Sequence, residues 1–375
     1  MKLCVFPNDP LRSYYEKGEI KERYFNPNNI FDEIHVISFI DSDIDEESIK
    51  KIGGNARLKI HSVGKINIKN KDKNKEKILK LIKSINPSII RAYNPRIEGW
   101  FAAYCAQKLR IPFVLSLHTQ HNRKRQLMKK KSLKKYLILK IYEKKIEQFV
   151  IKKANKILIV YKIIESYVLK QGGKNPEVLH NSIDLEKFRN AHALTDLPKP
   201  LVISVGNLSE EKNHQCIIRA MQKINASCII IGRGEKKKEL SKLIESLNLS
   251  DKIIMKDSVP YSEIASYYKS ADIFALAFDP ELEGIPKPVI EAMACGLPVV
   301  IPYPNKLYSE GLENIVIFAK NEPDDFSKKI TEVLNDKKLQ KEKSERSLEK
   351  AKQFDISKLE NREAEIYLEL IKGNN

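Results

Sequence analysis

Residues 283–300 read Glu283-Gly284-Ile285-Pro286-Lys287-Pro288-Val289-Ile290-Glu291-Ala292-Met293-Ala294-Cys295-Gly296-Leu297-Pro298-Val299-Val300. Pro286 and Pro288 suit the mouth of a helix, where φ is preset and a missing N–H forfeits no bond. Glu291 then lies inside that helix and Glu283 in its approach, so the two acids do not share one helical face. The first amides of a helix have no partner within it, and its dipole favours negative charge there. The N–H groups of Lys287, Val289 and Ile290 are therefore expected to be open to an oxyanion. The apolar run ending in Val299-Val300 reads as a buried strand. The segment thus predicts an anion site flanked by two hydrogen-bond-accepting acids.

Working outward, short β-branched runs alternate with segments of helical period, the pattern of a parallel sheet with crossover helices. Strands are expected at 3–6, 34–40, 58–63, 89–93, 113–117, 157–160 and 177–179 in the first half. In the second half they are expected at 201–205, 228–231, 252–255, 273–277, 299–301 and 315–318. Helices fall between them, at 75–85, 99–109, 214–223, 236–247, 261–269 and 289–294. The polar stretch 185–200, ending Leu197-Pro198-Lys199-Pro200, breaks regular structure and reads as the join. Two doubly wound α/β domains follow: 1–190 together with a C-terminal helix near 356–375, and 196–355. The segment 340–371 reads as helical with an interruption near Phe354-Asp355, and its last part carries Leu359, Ala364, Tyr367 and Leu368 at helical spacing and can pack back on the first domain.

Across 375 residues, 42% hydrophobic and 31% charged content describe an ordinary globular chain rather than a disordered one. No apolar run is long enough to span a bilayer, and Met1-Lys2-Leu3-Cys4-Val5-Phe6 enters a strand at once, so neither signal peptide nor membrane helix is expected. Cys4, Cys105, Cys216, Cys228 and Cys295 stand singly in apolar surroundings, which predicts buried reduced thiols in the cytosol rather than a zinc or redox site. The formal net charge of +18 points to polyanions: nucleic acid, anionic lipid or phosphorylated substrates. A Lys-, Ile- and Asn-rich composition explains the level but not the clustering. Residues 121–156 hold fourteen Lys or Arg against two acids, Glu143 and Glu147.

Two more loops follow expected strands. Val205-Gly206-Asn207-Leu208-Ser209-Glu210-Glu211-Lys212-Asn213-His214 offers a glycine turn and a cation near a helix start, and Ile231-Gly232-Arg233-Gly234-Glu235 offers two glycines for close backbone approach. Taken with them, the 283–291 segment resembles the Glu-x7-Glu signature of the retaining GT-B glycosyltransferases of family 4 (glycosyl transferases group 1). Its neighbours agree in order and spacing: Glu211-Lys212, Ala271-Asp272, and Gly296-Leu297-Pro298-Val299-Val300. Leu179-His180-Asn181-Ser182-Ile183-Asp184 with Phe188 resembles that family's Pro-Asn-Gly-Val-Asp stretch and its phenylalanine.

The resemblance implies a GT-B fold of two facing Rossmann-like domains, the last helix packing on the first. It implies a nucleoside-diphosphate sugar as donor, with Lys212 on the diphosphate, Glu291 on the ribose and Glu283 on the transferred sugar. His118, in Ser116-Leu117-His118-Thr119, is implied beside that sugar from the opposite domain. Lys212, Glu283 and His118 are thus the catalytic candidates. The donor-binding candidates are Gly18, Lys17, Gly206, Asn207, Lys212, Gly232, Gly234, Gly284, Ile285, Lys287, Val289 and Glu291. Two departures stand out. Asn207 replaces the family's common arginine, and Tyr14-Tyr15-Glu16-Lys17-Gly18-Glu19-Ile20 replaces its Gly-Gly loop. Lys287 or Lys17 is expected to restore the missing cation.

The implied reaction retains anomeric configuration and asks mainly for positive charge at the leaving group. No Asp-x-Asp cluster stands where a divalent ion would act, so metal independence and no cofactor are expected. Domain closure about 185–200 would exclude water. The acceptor is expected to be a glycan or lipid-linked hydroxyl. The basic stretch to Lys156 reads as an amphipathic helix with Ile138, Tyr142, Ile146 and Phe149 or Val150 on one face, able to adsorb to anionic lipid on the inner face of the plasma membrane. The competing functions are a GT-B nucleotide-sugar epimerase, a catalytically silent member, and a non-catalytic basic protein binding anionic lipid or nucleic acid. No helix-turn-helix, zinc or RNA-recognition signature supports specific nucleic-acid binding.

Overall fold

The computed structural model describes residues 1–16, 18, 20–304 and 310–373. Among them lie thirteen strands in two all-parallel sheets. The first seven are β1 (Lys2–Phe6), β2 (Glu33–Ser38), β3 (Arg57–Ser62), β4 (Ile89–Ala92), β5 (Phe113–Leu117), β6 (Lys156–Ile159) and β7 (Glu177–Val178). The other six are β8 (Leu201–Val205), β9 (Ser227–Ile231), β10 (Ile253–Lys256), β11 (Ile273–Ala275), β12 (Val299–Pro302) and β13 (Ile317–Ala319). The chain divides into two compact units, Met1–His180 with Leu359–Asn375, and Asn181–Lys358.

Strand chemistry explains the sheets. In the second unit Leu201 and Ile203, Ile229 and Ile231, and Val299 and Ile301 enter one core, while Val202, Cys228, Ile230 and Val300 enter the other. Successive side chains of a strand point to opposite faces, so a strand buried on both must be apolar without interruption. All five cysteines are buried and free.

The strand orders are β3-β2-β1-β4-β5-β6-β7 and β10-β9-β8-β11-β12-β13. In each sheet the winding reverses beside its first strand, at β1/β4 and at β8/β11. Loops leaving the carboxyl ends of those strands diverge there and open a crevice, where ligands of doubly wound sheets collect.

The C-terminal helix Ile356–Lys372 is fastened to the first unit by its buried face, with Ile366 and Tyr367 in that core. Arg91 of β4 pairs with Glu363 and donates to the Ser116 hydroxyl at 3.0 Å, while Arg362 donates to Glu177 at 2.7 Å. At the expected join the structure differs from the sequence reading. Residues Leu185–Asn190 form a helix capped by Asp184, and Leu185 and Phe188 enter the core of the second unit. Two apolar residues at i and i+3 sufficed to draw a polar stretch into a core. Among the described residues no helix is long and apolar enough to cross a membrane.

Candidate functional site

Two switch-point loops build the site of the second unit. After β8 the chain passes Gly206 and the exposed Asn207, then makes a single 3-10 turn, Glu210–Lys212. Asn213 in the left-handed region (φ 44°) redirects it into the helix His214–Ala220. After β11 the loop to Glu283 is tied back by the Asp279 N–H, which donates to the Glu211 carbonyl at 2.9 Å. The helix Lys287–Ala294 then begins with Pro286 as its cap.

These loops set two lysine–carboxylate pairs. Lys212, 9% exposed at its side chain, pairs with Glu283, 21% exposed. Lys287 Nζ lies 3.3 Å from Glu291 Oε1, and the Tyr268 hydroxyl donates to Glu291 Oε2 at 3.0 Å. Glu291 is buried with both oxygens engaged, and burial beside that carboxylate pushes the Tyr268 hydroxyl well above the usual phenol range.

The helix start corrects one expectation. The Val289 N–H donates to the Pro286 carbonyl at 2.9 Å and the Ile290 N–H to the same oxygen at 3.4 Å. The cap carbonyl takes the first intrahelical bonds, so these two amides are not open to an anion. Val289 is also fully buried, as is Ile285. The N–H groups of Gly284, Ile285 and Lys287 have no backbone acceptor among the described residues.

The glycines divide in role. A Cβ on Gly232 would stand 1.9 Å from the Gly206 carbonyl oxygen, and one on Gly234 2.3 Å from that of Leu208. Leu208 N–H donates to Arg233 O at 2.8 Å, so the two loops lie backbone against backbone. Gly232 and Gly234 are therefore required for the packing of the two loops. Gly206 has room, since its Cβ would meet only side-chain atoms of His214 and Lys212 at 3.5 Å and beyond.

Sequence reasoning missed three residues here. Lys187 Nζ lies 3.9 Å and Lys287 Nζ 4.0 Å from the centroid of the Tyr261 ring, so one aromatic holds two cations. Burial, opposed by Asp184 and reinforced by the charge of Lys287, lowers the Lys187 pKa. His214 is buried beneath Gly206, its Nδ1 3.2 Å from the Ser204 hydroxyl. Burial and then the charge of Lys212 push its pKa down to about 4, leaving a neutral ring at pH 7. Spacing gave little signal for the Tyr261 pair, because Lys187 and Tyr261 are 74 positions apart.

In the first unit a cavity of about 330 Å³ opens at the carboxyl ends of β1, β4 and β5, lined by residues including Asn8, Asp9, Tyr93, Arg96, His118 and Lys124. His118 stacks on Tyr93 at 5.9 Å between centroids. Desolvation by the walls, then the charges of Arg91 and Lys21, push its pKa down to about 4. The ring is therefore neutral at pH 7. Gly18 sits in an exposed turn at φ +67°, its N–H bonded to Tyr15 O at 2.9 Å. Lys17 lies outside the described residues.

Residues 186–353 match the family Glycosyl transferases group 1, and residues 32–187 match Glycosyltransferase Family 4. This chain belongs to the group 1 glycosyl transferases, a transferase family with the GT-B fold. A relative from Campylobacter jejuni, N-acetylgalactosamine-N,N'-diacetylbacillosaminyl-diphospho-undecaprenol 4-alpha-N-acetylgalactosaminyltransferase, is 33% identical over 196 residues, covering 50% of this chain and 52% of its own length. Alpha-monoglucosyldiacylglycerol synthase from Streptococcus pneumoniae is 25% identical over 321 residues, 80% of this chain and 70% of that protein. Among solved structures, Anabaena Alr3699/HepE in complex with UDP superposes with a TM-score of 0.73 at 16% identity, over 98% of this chain and 99% of the other. This last likeness establishes the fold alone.

Proposed function

We propose that the protein transfers a sugar from a nucleoside-diphosphate sugar to an acceptor hydroxyl with retention at the anomeric carbon, without a metal ion. The observation that carries this is the double pairing Lys212–Glu283 and Lys287–Glu291 at the β8/β11 switch point. A diphosphate is a better partner for two lysines than two carboxylates that must stay desolvated. Its arrival would turn Lys212 and Lys287 to phosphate oxygens and free Glu283 for hydroxyls of the transferred sugar and Glu291 for the ribose diol. In the reaction the bond from the anomeric carbon to the phosphate oxygen breaks, its electron pair leaving with the diphosphate. The acceptor oxygen bonds the same face, and its proton passes to the departing phosphate. Lys212 and Lys287 stabilise the charge that develops there. His118, neutral at pH 7, is assigned to hydrogen bonding with the transferred sugar. The acceptor is a glycan or lipid-linked hydroxyl; the Campylobacter relative is named for a diphospho-undecaprenol-linked saccharide and the Streptococcus relative for a monoglucosylated diacylglycerol. Five buried free thiols suit a reducing compartment, in keeping with a cytoplasmic enzyme.

The test is product analysis with a panel of nucleoside-diphosphate sugars and glycan or lipid-linked acceptors. The expected result is nucleoside diphosphate released in step with a new glycoside of the donor's anomeric configuration. Release of nucleotide with a free epimerised sugar and no acceptor would show an epimerase instead. An inverted linkage would overturn the mechanism.

A further inference from the structure

The basic stretch 121–156 is not the single amphipathic helix its spacing suggests. It is two helices, His121–Lys131 and Leu133–Tyr142, followed by a π-helical turn, Glu143–Glu147, and a short helix, Gln148–Lys153. Ser132 breaks it, its hydroxyl accepting the Lys135 N–H as the second helix starts. Ile146 and Val150 are buried in the core, whereas the helix Leu133–Tyr142 has no buried residue at all.

Within that helix Leu133, Leu137, Ile138 and Ile141 are 60, 54, 56 and 55% exposed. At about 100° per residue they span an arc of roughly 140°, with the half-buried Tyr136, Leu139 and Tyr142 on the opposite side. Lys134 falls within that arc, and around it Lys129, Lys130, Lys131, Lys135, Lys140, Lys144 and Lys145 are exposed as well. The two acids of the segment are turned inward: Arg125 donates to Glu147 at 2.7 Å and to Glu143 at 3.0 Å, and all three are buried. The outer face is therefore an aliphatic ridge in a field of lysine.

We propose that this face docks on an anionic lipid bilayer, the aliphatic ridge entering the acyl boundary and the lysines meeting the headgroups. Charge complementarity selects this occupant. A second copy would bring a like-charged ring against the first, and a nucleic acid would leave four large aliphatics in water. A bilayer of anionic lipid satisfies both halves of the surface at once. The start of the same segment, His121 and Lys124, lines the cavity of the first unit, so docking would bring that cavity to the membrane plane's vicinity. The surface does not depend on the donor chemistry, and vesicle binding and sugar transfer fail separately.

Flotation of the full chain with phosphatidylglycerol/phosphatidylcholine vesicles, against phosphatidylcholine alone, is the test. Binding is expected only with the anionic vesicles at about 0.1 M salt, weakening but persisting at about 0.5 M because the ridge is not screened. The variant L137S/I138S/I141S is expected to bind about tenfold more weakly with an unchanged melting curve, since none of these side chains is buried. A tryptophan placed by Ile138→Trp should shift its emission to the blue on adding anionic vesicles, against the constant signal of the buried Trp100. The proposal is overturned if the chain does not float at low salt, if the triple variant binds like the parent, or if Ile138→Trp shows no shift. A dimer that the triple variant dissociates, without vesicle binding, would assign the ridge to self-association instead.

Discussion

Lys212 and Lys287 hold the two acids of the site, but they are not equivalent. Lys212 is nearly buried, its backbone fixed by the 3-10 turn that ends at it, whereas the Lys287 side chain is 31% exposed and shares Tyr261 with Lys187. A preorganised cation contributes more to a developing charge than a mobile one. Lys212→Ala is expected to lower kcat/KM by about a hundredfold, the scale of losing one preorganised donor, and Lys287→Ala by about tenfold. Both should weaken donor binding measured by calorimetry. If Lys287→Ala left donor affinity and turnover intact while Lys212→Ala abolished both, Lys287 would not compensate for Asn207. Lys187, with its lowered pKa, would then be the cation to examine beside Tyr261.

At the scale of elements, the loops after β8 and β9 hold each other. Gly232→Ala drives a Cβ into the Gly206 carbonyl, with backbone on both sides and no side chain to swing away. Denaturant unfolding is expected to show a loss of about 1–3 kcal/mol. Gly206→Ala meets only ordinary contacts and is expected to stay within about 0.5 kcal/mol of the parent, its effect appearing in donor binding instead. Equal stability of the two variants would contradict the loop packing. The same elements show what the chain makes legible. Strands buried on both faces, such as Ile229–Ile230–Ile231, announce themselves as apolar runs, and each expected strand has its counterpart in the sheets. Their ends are less legible: β11 stops at Ala275 and β13 starts at Ile317, because pairing with β12 decides where a ladder ends. The Glu283–Glu291 spacing around two prolines was readable as a loop and helix. That Val289 and Ile290 would bond back to Pro286, and that Gly232 would face Gly206, was not. Both depend on which backbone lies opposite, and a local window holds no information on that.

For the whole molecule, two doubly wound units account for the length and the cores, while the charge of +18 is concentrated on the 121–156 segment. Family membership rests on matches running through both units. The proposed function depends on the β8/β11 switch point of the second unit as the seat of a nucleoside-diphosphate sugar, held by Lys212, Glu283, Lys287 and Glu291. Thermal unfolding of the full chain across a panel of nucleoside-diphosphate sugars, repeated with Lys212→Ala and Glu291→Gln, tests it most directly. A ligand at a hundred times its Kd stabilises the folded state by about 2.7 kcal/mol, or roughly 5–11 °C for a unit of this size. The expected result is such a rise for at least one donor in the parent, and its loss in both variants. A panel without any rise, or a rise that survives both substitutions, would contradict the account.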